Sequence, residues 1–187
     1  MLQGIRHIIF DLGGVLLNID YKLTEEAFQK AGIKDFKELY SQLHQTDLFD
    51  QFEMGFIPKE EFIARLQQAA SNSISESQIT DAWNAMLLDF PLRRLQLLQQ
   101  LHLHYDLFLL SNTNHIHLKS ISKYLQSTYG FSDIAECFNK AYYSCDCKLR
   151  KPDYEFFNLV LNENQLEKTE TLFVDDTIQH VEAAKSI

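Results

Sequence analysis

The sequence predicts an α/β protein: a parallel sheet with helices on its faces, interrupted after its first strand by a helical insertion. Short runs of β-branched and aromatic residues end abruptly on polar residues, and helical periodicity fills the gaps between them. From 21 to 90, by contrast, the signals are helical only.

The first strand is residues 5–10, closed by Asp11-Leu12-Gly13-Gly14. In the insertion, Phe36, Leu39, Tyr40 and Leu43 fall at i, i+3, i+4 and i+7 behind Asp35, which suits an N-cap. Pro58 suits a first helical turn, with Phe62, Ile63 and Leu66 following on one face. After a serine-rich break at 71–77, Ile79, Trp83, Met86 and Leu87 repeat the spacing. From Pro91, strand and helix alternate. Leu92, Leu95, Leu98 and Leu101 make a helix stripe, and residues 106–110 (DLFLL) make a buried strand ending at Ser111-Asn112. A helix carrying Leu118, Ile121 and Leu125 leads to a third strand at 140–144, then a helix over Pro152–Leu161. A fourth strand follows at 171–174, and a last helix starts near Ile178. The pattern is still helical at Ile187, where a further strand would be natural. The expected organisation is a core of residues 1–20 and 91–187 with a helical unit, 21–90, inserted into it.

Bulk properties narrow the function. A chain of 187 residues, 45% hydrophobic with 14 Phe and 8 Tyr, can fill one core carrying a smaller inserted unit. The net charge of −9 argues against nucleic-acid binding, which needs a basic stripe. No run is apolar enough to span a membrane, the N-terminus lacks a signal-peptide pattern, and three cysteines form no disulfide framework. The expectation is a cytoplasmic protein without a membrane or nucleic-acid partner; oligomeric state is not legible.

In an open parallel sheet, ligands gather beyond the carboxyl ends of the strands. Asp11, the Ser111-Asn112-Thr113 run and the Asp175-Asp176 pair follow the first, second and fourth strands, and Lys151 lies in LRKPD before a helix. Three carboxylates at one edge repel unless a cation joins them, and hard oxygen donors suit Mg²⁺. Ser111 and backbone N–H groups opening the next helix make a phosphate cradle, and Lys151 offsets charge on nucleophile and phosphoryl group. The chemistry that uses all of these is phosphoryl transfer to a carboxylate.

The four segments IIFDLGGV, LLSNTN, RKPD and FVDD, in this order, resemble the motifs of haloacid dehalogenase-superfamily hydrolases with a helical cap inserted after the first motif. DLGGVLLNID with LLSNTN and LRKP is most similar to sugar-phosphate phosphatases of the alpha-glucose-1-phosphate type. The resemblance spans essentially the whole chain. It implies a Rossmann-like core, a small phosphorylated metabolite as substrate, and Asp11 as nucleophile and metal ligand. It further implies the Gly13 carbonyl and Asp176 as ligands of Mg²⁺, Asp175 in support, and Ser111, Asn112 and Lys151 on the phosphate. Two positions depart from the family pattern. Gly13 stands where an aspartate usually protonates the leaving group, and His180 stands where the last motif usually carries Asn or Asp.

Without an acid at Gly13 the leaving oxygen departs largely unprotonated. The sequence therefore predicts a preference for anomeric, acyl and aryl phosphates, and a burst before slower turnover. A catalytically weak sensor that binds a phosphorylated metabolite is the alternative. Halide displacement on carbon is a further rival, but it has no use for the Asp175-Asp176 pair. Asp20 or Asn18 could replace the missing acid, although capping of the first inserted helix explains them more simply. His44, Asp47 and Glu53 could read substrate from the insertion. For His115 and His117 a surface role is expected, and for Cys145 and Cys147 incidental thiols.

Overall fold

The computed structural model describes residues 2–33, 36–39, 47–71 and 74–187. Asp35, Tyr40, Leu43 and His44, named above, lie outside the described residues. Four strands, β1 (His7–Phe10), β2 (Asp106–Ser111), β3 (Lys140–Tyr143) and β4 (Thr171–Val174), form a parallel sheet in the order β3-β2-β1-β4. Strand alternation divides the core. Ile8, Phe10, Leu107 and Leu109 enter one cluster, while Ile9, Phe108, Leu110 and Tyr142 enter another on the opposite face. Both faces are buried, which is why the strands read as continuous apolar runs.

Between β1 and β2 come α1 (Tyr21–Lys30), helical residues 36–39, α2 (Leu48–Glu53), α3 (Lys59–Ala69), α4 (Glu76–Asn84) and then α5 (Leu92–Leu101). Helices α1 to α4 close around a hydrophobic cluster of their own, which includes Phe28, Phe52, Phe62, Ile79 and Trp83. Phe52 and Phe62 stack at 4.1 Å between ring centroids. Local signals set the helix ends: Asp20 accepts from Lys22 N–H at the start of α1, and Ser75 with Gln78 forms a capping box on α4. Pro58 sits just before α3 rather than inside it.

After β2 comes α6 (His115–Tyr129); α7 (Ser144–Cys147) follows β3, and α8 (Tyr154–Glu163) precedes β4. The last helix, α9 (Ile178–Lys185), ends before the final two residues. Several boundaries differ from expectation. Ser144 opens α7 instead of closing β3, and α8 starts at Tyr154 rather than Pro152 because Lys151 is held in the preceding loop. Met86 and Leu87 lie beyond α4, where Leu87 bridges Ile19. Of the α5 stripe, Leu95 and Leu98 are buried, but Leu92 is exposed.

Candidate active site

The sheet register pairs Phe10 with Leu109 on one side and Val174 on the other. Asp11 and Asp175 therefore leave matched strand ends one residue later. Carboxylate oxygens of Asp11, Asp175 and Asp176 lie within 4.8 Å of one another. The Lys151 ammonium enters this group from the loop before α8, donating to Asp11 Oδ1 at 2.8 Å and to Asp175 Oδ2 at 2.6 Å. Lys151 is 1% exposed, a position a lysine tolerates only with counter-charges in contact.

The loop holding Lys151 is fixed from β2. The Asn112 side chain donates to the Lys151 carbonyl and accepts from its N–H, both at 2.9 Å. Asn112 was expected on the phosphate; its side chain is engaged on the lysine backbone. Ser111 is buried and lines the adjoining cavity. Helix α6 opens at His115, and the Thr113 N–H is taken by Ser144 Oγ at 2.9 Å, so that amide does not join a cradle.

The acids respond differently to burial. Burial, the largest influence, pushes the Asp11 carboxyl above its usual range; Lys151 opposes the rise and Asp175 adds to it. Burial also acts most strongly on Asp175, upward, but hydrogen bonds from His180, Lys151 and the Thr177 N–H together bring it down to about 2. His180 Nδ1 lies 3.1 Å from both Asp175 oxygens, so the departure at position 180 still supports that carboxylate. Asp176 is held elsewhere: a Cβ at Gly14 would meet Asp176 Oδ2 at 2.0 Å, and Gly14 has φ +73°. Only glycine lets the backbone pass that carboxylate. One ammonium among three carboxylates leaves the cluster short of positive charge. A hard divalent cation fits this all-oxygen donor set, with Asp11 and Asp176 as the ligands least engaged by Lys151 and His180.

Beside the cluster is a cavity of about 380 Å³. Asp11 is not on its wall, but Leu12, Gly13, Ser111 and Asn112 are. Residues from the helices between β1 and β2 also line it, including Thr24, Glu25, Lys37, Glu53 and Trp83. His117, expected at the surface, is instead buried on this wall, stacked on Trp83 at 5.4 Å. Its Nδ1 accepts from Asn114 Nδ2 and its Nε2 donates to the Trp83 carbonyl, and burial holds it neutral down to about pH 4. Asp47 is exposed and lies outside the cavity wall, and His115 is exposed near Cys145 and Asp146. Asp20 caps α1, as the simpler reading had it, whereas Asn18 does not cap that helix and donates instead to Asp89.

Two residues escaped the sequence reading. Arg150 pairs with Asp50 and Glu53, joining α2 to the loop that carries Lys151. Ser144 Oγ contacts the Glu53 carbonyl at 2.7 Å. The signal for Arg150 was its place beside Lys151; Ser144 offered none beyond following a strand.

The haloacid dehalogenase-like hydrolase family model matches residues 5–187. The chain belongs to that family. Among its relatives, the D-ribitol-5-phosphate phosphatase of Bacteroides thetaiotaomicron is 29% identical over 183 residues, covering 98% of this chain and 88% of the relative. A haloacid dehalogenase family enzyme from the same organism, solved with magnesium and inorganic phosphate, superposes with a TM-score of 0.89 at 35% identity. That match covers 97% of this chain and 90% of the other. A haloacid dehalogenase-like hydrolase from Porphyromonas gingivalis matches with a TM-score of 0.86 at 30% identity, covering 97% and 87%. The parallel sheet and its flanking helices are thus the family's fold, and no helix among the described residues is long and apolar enough to cross a membrane.

Proposed function

We propose that this hydrolase is a Mg²⁺-dependent phosphatase of small sugar or polyol phosphates, working through an aspartyl-phosphate on Asp11. The observation that carries the reading is the buried Lys151 ammonium bridging Asp11 and Asp175 beside Asp176. The phosphatase relative acting on D-ribitol 5-phosphate supports it, as does the neighbour holding magnesium with phosphate. The cavity volume suits a substrate of that size. In this reading residues 21–90 form a cap over the leaving-group side, while the strand ends hold the phosphoryl side.

Asp11 would attack phosphorus while Lys151 holds its Oδ1 and neutralises charge on the phosphoryl oxygens. The bond from phosphorus to the leaving oxygen breaks, and its electron pair leaves with that oxygen. Water then attacks the phosphorus, releasing inorganic phosphate and restoring the Asp11 carboxylate. Mg²⁺, bound by Asp11, Asp176 and the Gly13 carbonyl with Asp175 in support, would supply charge neutralisation for the dianionic phosphate. Ser111 would hydrogen-bond a phosphoryl oxygen, and Asn112 would keep Lys151 in register.

The test is a panel of phosphate esters with and without Mg²⁺, on the parent and on Asp11→Asn. Turnover that needs Mg²⁺ and vanishes in the variant is the expected result. Binding without appreciable turnover on any ester would favour the sensor, and Asp11→Asn activity near the parent rate would remove the phosphoaspartate.

A further inference from the structure

A polyol phosphate leaves as an alkoxide, which needs a proton, and Gly13 has no acid to offer. Among the described residues, the ionisable side chains on the cavity wall are Tyr21, Glu25, Lys37, Glu53 and His117. Tyr21 is 70% exposed, and Glu25 is paired with Lys37 at 3.4 Å. Both ring nitrogens of His117 are occupied within the protein. Glu53 is different. It ends α2, and its carbonyl is gripped by Ser144 Oγ, which also contacts Thr113, two residues beyond Ser111. Its carboxylate lies 3.5 Å from Arg150, the residue preceding Lys151. Glu53 is thus tied to two of the loops that carry the phosphoryl side, its side chain is 26% accessible, and it lines the same cavity as Gly13.

We propose that Glu53 is the general acid that protonates the leaving oxygen, replacing the group absent at Gly13. The assignment rests on the phosphatase reading above. As the phosphorus–oxygen bond breaks, the Glu53 proton passes to the leaving oxygen, which keeps the bonding electron pair. When water attacks the aspartyl-phosphate, the Glu53 carboxylate takes a proton from that water and returns to its starting form. Burial, the largest influence, pushes the Glu53 carboxyl above its ordinary range; Arg150 opposes the rise and Asp50 adds to it. The remaining charged or titratable groups on the cavity wall are Tyr21, Glu25, Lys37 and His117. Arg150 pairs with Asp50 as well as Glu53, and its charge would stabilise the Glu53 carboxylate left after proton transfer. This alters the sequence expectation: alkyl phosphates become workable substrates.

The experiment compares a polyol phosphate with p-nitrophenyl phosphate, whose leaving group needs no proton. In the parent, turnover of the polyol ester should fall at high pH while turnover of the aryl ester does not. Glu53→Gln should lose about 10²-fold or more on the polyol ester, typical of a lost general acid, with a much smaller loss on the aryl ester. Arg150→Ala should lower turnover of the polyol ester more than that of the aryl ester and move the alkaline fall to higher pH, because Arg150 holds the Glu53 pKa down. Adding Gly13→Asp to Glu53→Gln should recover part of the polyol activity. Equal losses on the two esters in Glu53→Gln, or identical alkaline behaviour of the two in the parent, would overturn the assignment; the parent profile needs no variant to fold. Asp11→Asn separates the two levels. If it retains aryl turnover, the phosphatase mechanism itself fails, whatever Glu53 does.

Discussion

Gly13 and Gly14 are neighbours with different constraints. A Cβ at Gly13 would meet only the flexible end of Ile19, at 3.2 Å, so a side chain there needs a small adjustment. At Gly14 the positive φ and the 2.0 Å approach of Asp176 exclude one. Gly14→Ala should therefore displace Asp176 and weaken Mg²⁺ activation roughly 10- to 100-fold, the usual cost of disturbing a ligand's support. A Mg²⁺ titration of turnover checks this, and an unchanged half-saturation would mean Asp176 is not a ligand. The two aspartates should also separate. Asp176→Asn should raise the Mg²⁺ requirement more than Asp175→Asn, because Asp175 is already committed to Lys151, His180 and Thr177. Lys151→Ala should weaken phosphate binding and turnover together, since its charge serves ground and transition states alike.

At the scale of elements, one hydroxyl joins three segments. Ser144, at the start of α7, accepts from the Thr113 N–H and lies near the carbonyls of Thr113 and Glu53, with one proton to share between them. It links the segment after β2 to the end of α2, where Gly55 also presses on the Cys145 carbonyl so closely that a Cβ would lie 2.0 Å away. Ser144→Ala leaves a buried N–H without its acceptor, which costs roughly 1–3 kcal/mol. Urea denaturation should show a loss of that size, with turnover lowered on every ester because the whole α2 end shifts. A stability change below a few tenths of a kcal/mol would show the link to be incidental.

For the whole molecule, His117 makes folding sensitive to acid. Its pKa is about 4 in the folded chain, against an ordinary value near 6.5. The unfolded chain binds more protons between those values, so stability is fully present above about pH 6.5 and declines as pH falls toward 4. The lost contribution is roughly 3 kcal/mol, from 1.36 kcal/mol per unit. Thermal melts of the parent and His117→Asn should differ in slope across that window; parallel slopes would show that the imidazole does not titrate there. With a net charge of −9, the molecule also repels an anionic substrate at long range, so local cations must prevail at the strand ends. Chelation should accordingly abolish turnover, and added Mg²⁺ should restore it.

The sequence by itself determined the parallel sheet, the run of helices between β1 and β2, and the strand ends where Asp11, Ser111 and the Asp175-Asp176 pair emerge. It could do so because apolar runs, turn glycines and helix spacing are local properties. Tertiary structure decided which partner each polar group meets. It put Asn112 on the Lys151 backbone, buried His117 against Trp83, and separated the roles of Gly13 and Gly14 through Ile19 and Asp176. It also brought Glu53, 42 residues beyond Asp11 in the chain, to the cavity beside Gly13. Those contacts join residues from different elements, and periodicity along one element carries no information about what faces it from another.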